Sequence, residues 1–194
     1  MGIRISVATD GFSYGDGEAF SSASVVKVGI ALALALRGRP PDAGERALVD
    51  AMIRRSDNDA ASALYAVVGG PAGLDAAHAR LGLRETVADR AWGLTRTTAR
   101  DQLTVVRSVF AGHPGVARAM ARVVDGQRWG VSAAGGPYAL KNGWMPMRAT
   151  GLWVVHSVGV VRGRAVAVLS DGHATLAEGI ARVEAAAREA VGEG

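Results

Sequence analysis

The sequence predicts a mixed α/β fold of the α+β type: an antiparallel sheet built from both chain ends, flanked by helices, with a helical subdomain between them. Three observations lead there. The first residues alternate apolar and polar as a strand does, the middle of the chain carries helical patterns, and the last third returns to β-rich runs before one closing amphipathic helix. Pairing the two β-rich ends in one sheet is the economical solution. A single domain over 1–194 is expected, with its sheet part at about 1–20 and 136–194 and its helical part at about 21–135. That length buries a core without staples.

Ile3, Ile5 and Val7 alternate with Arg4 and Ser6, and Asp10-Gly11 supplies a turn, so residues 12–18 form a short return strand or loop. From 24 to 37 the chain is apolar nearly all round. This run is too long for one buried strand and predicts a buried helix ended by Gly38 and Pro40. Amphipathic helices are expected over 45–55 and 59–68, separated by Ser56-Asp57-Asn58. Gly70-Pro71 opens another helix, with Gly82 past its end. Residues 83–96 show no period and read as loop. Thr98 begins a helix to about Phe110 with a capping-box-like spacing, and a short one follows near 116–124. Strands are expected over 138–142, 152–161 and 164–170, with Arg162-Gly163 as a hairpin turn, and then a helix over 175–191.

Composition excludes several classes of function. There is no cysteine, which removes disulfides and thiolate metal sites. His78, His113, His156 and His173 show no ligand spacing, so neither a metal nor any other cofactor is expected. The net charge is +4, but the arginines are scattered and the aromatics do not interleave with them, so no nucleic-acid partner is expected. No segment reads as a signal peptide or is long and apolar enough to span a bilayer. The chain as written is expected to be a cytoplasmic monomer with no membrane contact; an exported mature form would look the same.

The chemistry lies in the lysines. Of 22 basic residues only Lys27 and Lys141 are lysines, and the chain has two asparagines, Asn58 and Asn142. Arginine keeps its proton at any ordinary pH, whereas a lysine amine gives it up when its surroundings lower its pKa. All four residues fall within three motifs that read, in order, Ser24-x-x-Lys27, Ser56-Asp57-Asn58 and Lys141-Asn142-Gly143.

Ser24 at a helix start has unpaired backbone N–H groups around it, and Lys27 three residues on shares its face, which brings the amine within reach of the serine oxygen. An amine desolvated in an apolar helix near a second cation, Lys141, is a base for that hydroxyl. Ser56 is able to carry a proton between the lysines and a leaving nitrogen, and Asn58 to orient a substrate amide. Gly143 allows close approach, and the Trp144 N–H with that of Ser24 forms an oxyanion hole. These parts specify acyl transfer through a serine ester. Taken singly, Ser56-Asp57-Asn58 is also a helix N-cap and Lys141-Asn142-Gly143 an ordinary turn.

Phe20-Ser21-Ser22-Ala23-Ser24-Val25-Val26-Lys27 resembles the F-x-x-A-S-x-x-K box of class A beta-lactamases and penicillin-binding proteins, and residues 52–61 resemble their S-D-N segment. Residues 69–74 and 97–100 are similar to the stretches flanking that family's omega loop. With Lys-Asn-Gly-Trp, the order of motifs is similar to the compact actinobacterial serine hydrolases of the superfamily. The resemblance implies the serine-penicillin-recognising fold, with Ser24 as nucleophile, Lys27 and Ser56 as proton carriers and Lys141 as electrostatic partner. It implies a small-molecule or peptide acyl substrate.

Three departures accompany it. The stretch between Lys27 and Ser56 is short. Asn142 replaces the hydroxyl that helps hold a substrate carboxylate, and its amide is expected to contact substrate instead. The omega-loop stretch, residues 88–94, has no glutamate and no asparagine, and the nearby acids Glu85 and Asp89 read as solvated loop charges. Acylation is therefore implied without rapid hydrolysis of a beta-lactam. A peptidase or acyltransferase of cell-wall or natural-product chemistry, and a non-catalytic binding member of the fold, are the alternatives.

Gly11-Phe12-Ser13-Tyr14-Gly15 matches the G-x-S-x-G nucleophile elbow, but that motif needs a helix directly after it. Gly15-Asp16-Gly17-Glu18 is not one, so Ser13 is expected in a turn.

Overall fold

The computed structural model describes residues 2–15 and 17–192. The N-terminal alternation gives β1 (Arg4–Thr9), which turns back into the short β2 (Ser13–Tyr14). Ser13 thus lies on an edge strand, with no helix behind it. The C-terminal runs become β5 (Tyr138–Pro146), β6 (Trp153–Val161) and β7 (Arg164–His173). They join β1 and β2 in one antiparallel sheet of order β2-β1-β7-β6-β5, so the two chain ends meet at its centre. Arg4 lies opposite Asp171 in the β1–β7 register, and its guanidinium Nε donates to Asp171 Oδ1 at 2.9 Å.

Strand alternation sorts the core onto two faces. Val166 and Val168 of β7 pack with Leu140, Val155 and Val183 beneath α7 (Leu176–Gly192). Ala165, Ala167 and Leu169 of the same strand pack with Leu103 and Val106 of α5 (Ala99–Gly112). A third cluster lies wholly among helices around α1 (Val26–Ala35), in which every residue from Val26 to Leu34 is buried, as its all-round apolar pattern requires.

The helices around it begin where the sequence provides caps. Asp42 and Glu45 form a capping box on α2 (Ala43–Arg54), and Glu45 also accepts from Arg37 and Arg39, closing the short α1–α2 connection. Asp57 caps α3 (Asn58–Val67) through the Ala60 N–H at 2.8 Å. The helix α4 (Gly70–Leu81) starts on Pro71 and stops at Gly82, whose φ of +75° is the left-handed end that glycine tolerates. Thr98 caps α5, and α6 (Pro114–Met120) follows.

Several boundaries differ from the sequence expectation: the short helix expected near 116–124 runs over Pro114–Met120, and the strand expected to end at residue 170 reaches His173. The helix expected from residue 24 opens as a 3₁₀ turn, Ala23–Val25, because Ala23 has a φ of +45° that no α-helix accommodates. The stretch expected to be plain loop carries a 3₁₀ turn (Trp92–Leu94) and ends in β4 (Arg96–Thr97), which pairs with β3 (Phe20–Ser21) in a second small sheet. β5 runs past Asn142 to Pro146, since β6 pairs with it along that length. Among the described residues no helix is long and apolar enough to cross a membrane.

Candidate active site

The site is assembled where α1, the α2–α3 turn and the outer edge of β5 converge. The strand leading to Ser24 is fixed first. Ser22 N–H donates to the Thr95 carbonyl at 2.8 Å, tying β3 to the loop ahead of β4. Beneath it, His156 is fully buried. Its Nδ1 accepts from the Ser170 N–H at 3.0 Å, so its Nε2 carries the hydrogen and donates to the Ser21 carbonyl at 2.8 Å. Burial pushes this imidazole down to about 4, which keeps it neutral at physiological pH. Ala23 then takes its left-handed conformation, a strain of about 1 kcal/mol that the surrounding bonds impose. The turn leaves Ser24 half-buried at the wall of a cleft of about 330 Å³.

Lys27 lies in the first turn of α1 and has no exposed surface. Its Nζ donates to the Ser56 carbonyl at 2.7 Å, to Asn58 Oδ1 at 2.7 Å and to Ser56 Oγ at 3.1 Å. From the other side Lys141 of β5, equally buried, donates to Ser56 Oγ at 3.0 Å and to the Asn142 carbonyl at 2.6 Å. The Ser56 hydroxyl therefore sits between two amines, and its residue has a φ of +57° to reach that position.

A carbonyl and an amide oxygen only accept. When Lys27 is neutral its two hydrogens go to the Ser56 carbonyl and Asn58, and its lone pair is left toward a hydroxyl. Burial lowers the Lys27 amine to about 8, with Asp57 opposing the shift. Burial and the charge of Lys27 hold Lys141 well below the usual lysine range.

The expected Ser24–Lys27 hydrogen bond is not formed among the described residues; the amine is drawn instead to the three oxygens of Ser56 and Asn58.

β5 supplies the opposite lip. A Cβ on Gly143 would lie 2.8 Å from both Ser24 N and Val25 N, so only glycine lets the strand approach the Ser24 turn. The phase of the ladder follows from its end, where Met147 N–H donates to the Leu152 carbonyl across the hairpin. Odd-numbered residues of β5 thus face β6. Asn142 and Trp144 direct their N–H and C=O groups to the free edge, as the Lys141 bond to the Asn142 carbonyl also requires. The Trp144 N–H consequently shares that edge with the backbone of Ser24, and its indole lines the cleft, edge-on to Trp129 at 5.7 Å.

Asn142 departs from expectation. Its side chain is fully buried and donates to the Gln127 and Trp129 carbonyls at 2.9 and 3.1 Å, away from the cleft. Adjacent strand residues point to opposite faces, and the face toward Ser56 is taken by Lys141. Asn58 does line the cleft beside Ser24.

The remaining wall is the 83–96 loop, and here sequence reasoning missed the decisive residue. Trp92 lies over the Lys27 amine, its ring centroid 4.8 Å from Nζ, and its indole N–H donates to Ser62 Oγ at 3.2 Å. It was visible only as the sole aromatic of an aperiodic stretch. Among the described residues no carboxylate lines the cleft. Asp89 is exposed, and its carboxylate accepts from the Ala91 N–H; Glu85 is exposed and accepts from the Thr98 hydroxyl. Among the described residues no group of His, Cys, Asp and Glu is arranged to hold a metal ion.

A family model described as the beta-lactamase enzyme family matches residues 45–193. No curated protein sequence matches the chain. Among solved structures the chain is similar to PBP-A, at 19% identity over 98% of this chain and 91% of that one, with a TM-score of 0.77. It is similar to an acyl-enzyme complex of a PBP-A mutant with penicillin G, at 18% identity over 99% and 90%, with a TM-score of 0.76. A class A beta-lactamase from Bacteroides cellulosilyticus DSM 14838 matches at 13% identity over 99% and 92%, with a TM-score of 0.73.

Proposed function

The chain belongs to the beta-lactamase enzyme family, and from that premise we propose that it forms an acyl-enzyme on Ser24 with an amide, lactam or ester substrate. Family and fold support a serine hydrolase of the beta-lactamase type. The observation that carries the finer reading is the Ser56 hydroxyl held at 3.1 and 3.0 Å from the two lysine amines, beside the cleft that exposes Ser24.

With an amine lowered to about 8, about one Lys27 in ten is neutral at pH 7. Ser24 Oγ attacks the substrate carbonyl carbon and its proton passes to that amine. The carbonyl oxygen becomes an oxyanion between the N–H groups of Ser24 and Trp144. The tetrahedral intermediate then expels its nitrogen, which takes the proton from the Lys27 ammonium through Ser56 Oγ, and Lys27 is neutral again. Lys141 holds the Ser56 hydroxyl in line. The products are a Ser24 ester and a free amine, or, from a lactam, one ring-opened adduct.

Intact-mass spectrometry after incubation with benzylpenicillin tests this. The expected result is a gain equal to the whole penicillin, abolished in Ser24→Ala. No gain in the wild-type chain favours a binding role for the fold. A second reading, transfer of the acyl group to an amine, is favoured by the walls of Trp92, Trp144 and Met145, which suit a nucleophile with apolar surface better than bulk water. Faster loss of the adduct with added amine than with water alone supports it.

A further inference from the structure

We propose that Trp92 sets the lifetime of the acyl-enzyme, its indole covering the Lys27 amine and keeping the hydrolytic water from the base nearest the ester. This rests on the acylation of Ser24 proposed above. Hydrolysis needs a water that attacks the ester carbon while a base takes its proton; the ester C–Oγ bond then breaks and Ser24 Oγ recovers a proton from that base. Among the described residues no carboxylate lines this cleft, and Lys27 is the amine one helical turn from Ser24, bonded to the cleft residue Asn58. The water must sit within hydrogen-bonding distance of Nζ. Three contacts to Ser56 and Asn58 occupy one side of that nitrogen, the indole lies over it at 4.8 Å, and together they leave Lys27 with no exposed surface.

The indole is not a loose flap. Its N–H is held by Ser62, and its backbone carbonyl accepts from the Thr95 N–H at 3.1 Å. The loop on which it sits is tied down by the Tyr65 hydroxyl on the Asp89 carbonyl at 2.6 Å and by the Asp89 carboxylate on the Ala91 N–H at 2.8 Å. The Val87–Arg96 bridge closes its base. The loop's own acid, Asp89, thus holds the segment that presents Trp92.

The test labels the wild-type chain, Trp92→Ala, Trp92→Phe and Ser62→Ala with benzylpenicillin, removes the excess and follows loss of the adduct by intact mass, with labelling rates measured in parallel. In Trp92→Ala the adduct is expected to disappear at least about tenfold faster, without a matching gain in labelling rate. Trp92→Phe, which keeps an aromatic face, retains a lifetime near that of the wild type. Ser62→Ala, at an exposed helix position, loses the indole's anchor together with the local bond from the Ser62 hydroxyl to the Asn58 carbonyl, and falls between. General damage to the site would slow both steps, so a faster release separates this role from a structural one. A wild-type adduct whose lifetime Trp92→Ala leaves unchanged overturns the inference alone. If Trp92→Ala does not fold, an unchanged lifetime in Ser62→Ala overturns it. A wild-type chain that never gains mass overturns the acylation reading and this inference with it.

Discussion

The wall made by α1, β5 and the Ser56 turn holds two buried lysines, a hydroxyl between them and a strand that only glycine could bring so close, while the wall made by the 83–96 loop offers an indole and apolar side chains and commits its acids to the Ala91 N–H and the Thr98 hydroxyl. Both walls face one serine. On the reading proposed above, the first would supply a nucleophile, a base, a proton relay and oxyanion donors for making a serine ester. The second, among the described residues, presents no carboxylate to the cleft for breaking one with water. On that reading both steps use Lys27, the first wall governing how the ester is made and the second how readily water reaches that shared base.

Lys27→Arg breaks the first wall most completely. The charge stays but the base is lost, and the rate of labelling by benzylpenicillin is expected to fall by about 10³-fold or more. A melting temperature near that of the wild type would show that the fold survives. Gly143→Ala comes next. Its methyl meets the nucleophile turn, and displacing the strand from Ser24 withdraws an oxyanion donor, for a loss of about 10²-fold in labelling rate.

The pH profile sharpens the comparison. The labelling rate rises as pH climbs toward and through about 8, following the neutral fraction of Lys27. Because the folded-state pKa lies below that of the unfolded chain, the unfolded state binds more protons between about 8 and the ordinary lysine value. Conformational stability therefore rises with pH across that window and is lost as pH falls back through about 8. Thermal melts across the window check the sign.

Asp57→Asn is expected to act least. Asparagine caps α3 about as well as aspartate does, so stability barely changes. The carboxylate that favours the Lys27 ammonium is gone, and the labelling profile shifts to lower pH by a fraction of a unit. None of these three changes at the first wall should alter how fast a formed adduct is released by more than it alters labelling.

The first wall was legible because its chemistry demands particular residue types. A base must be lysine where every other cation is arginine, and the close strand must be glycine, so Lys27, Lys141 and Gly143 stood out. Strand alternation already held the answer for Asn142: with Lys141 committed to Ser56, its neighbour must turn to the opposite face. The 3₁₀ opening of α1 was hidden, because the conformation of Ala23 is imposed by long-range bonds such as that from Ser22 to Thr95. The second wall was silent for the same reason. Residues 83–96 have no period, and what places Trp92 over Lys27 is a set of contacts to Ser62, Tyr65 and Arg96, none of which has a local signature.

The sheet order also dictates how the chain must be made. The strand β1 leaves the ribosome first, yet its partner β7 is separated from it by most of the sequence, as Arg4 opposite Asp171 illustrates. Until β7 emerges, the β1–β2 hairpin has an open hydrogen-bonding edge, and so has β6 on the side away from β5. The helices around α1 close their contacts over shorter loops and are expected to collapse earlier. Insertion of β7 between β1 and β6 is then the late event of folding. The nascent protein is at greatest risk of aggregation in the interval before it.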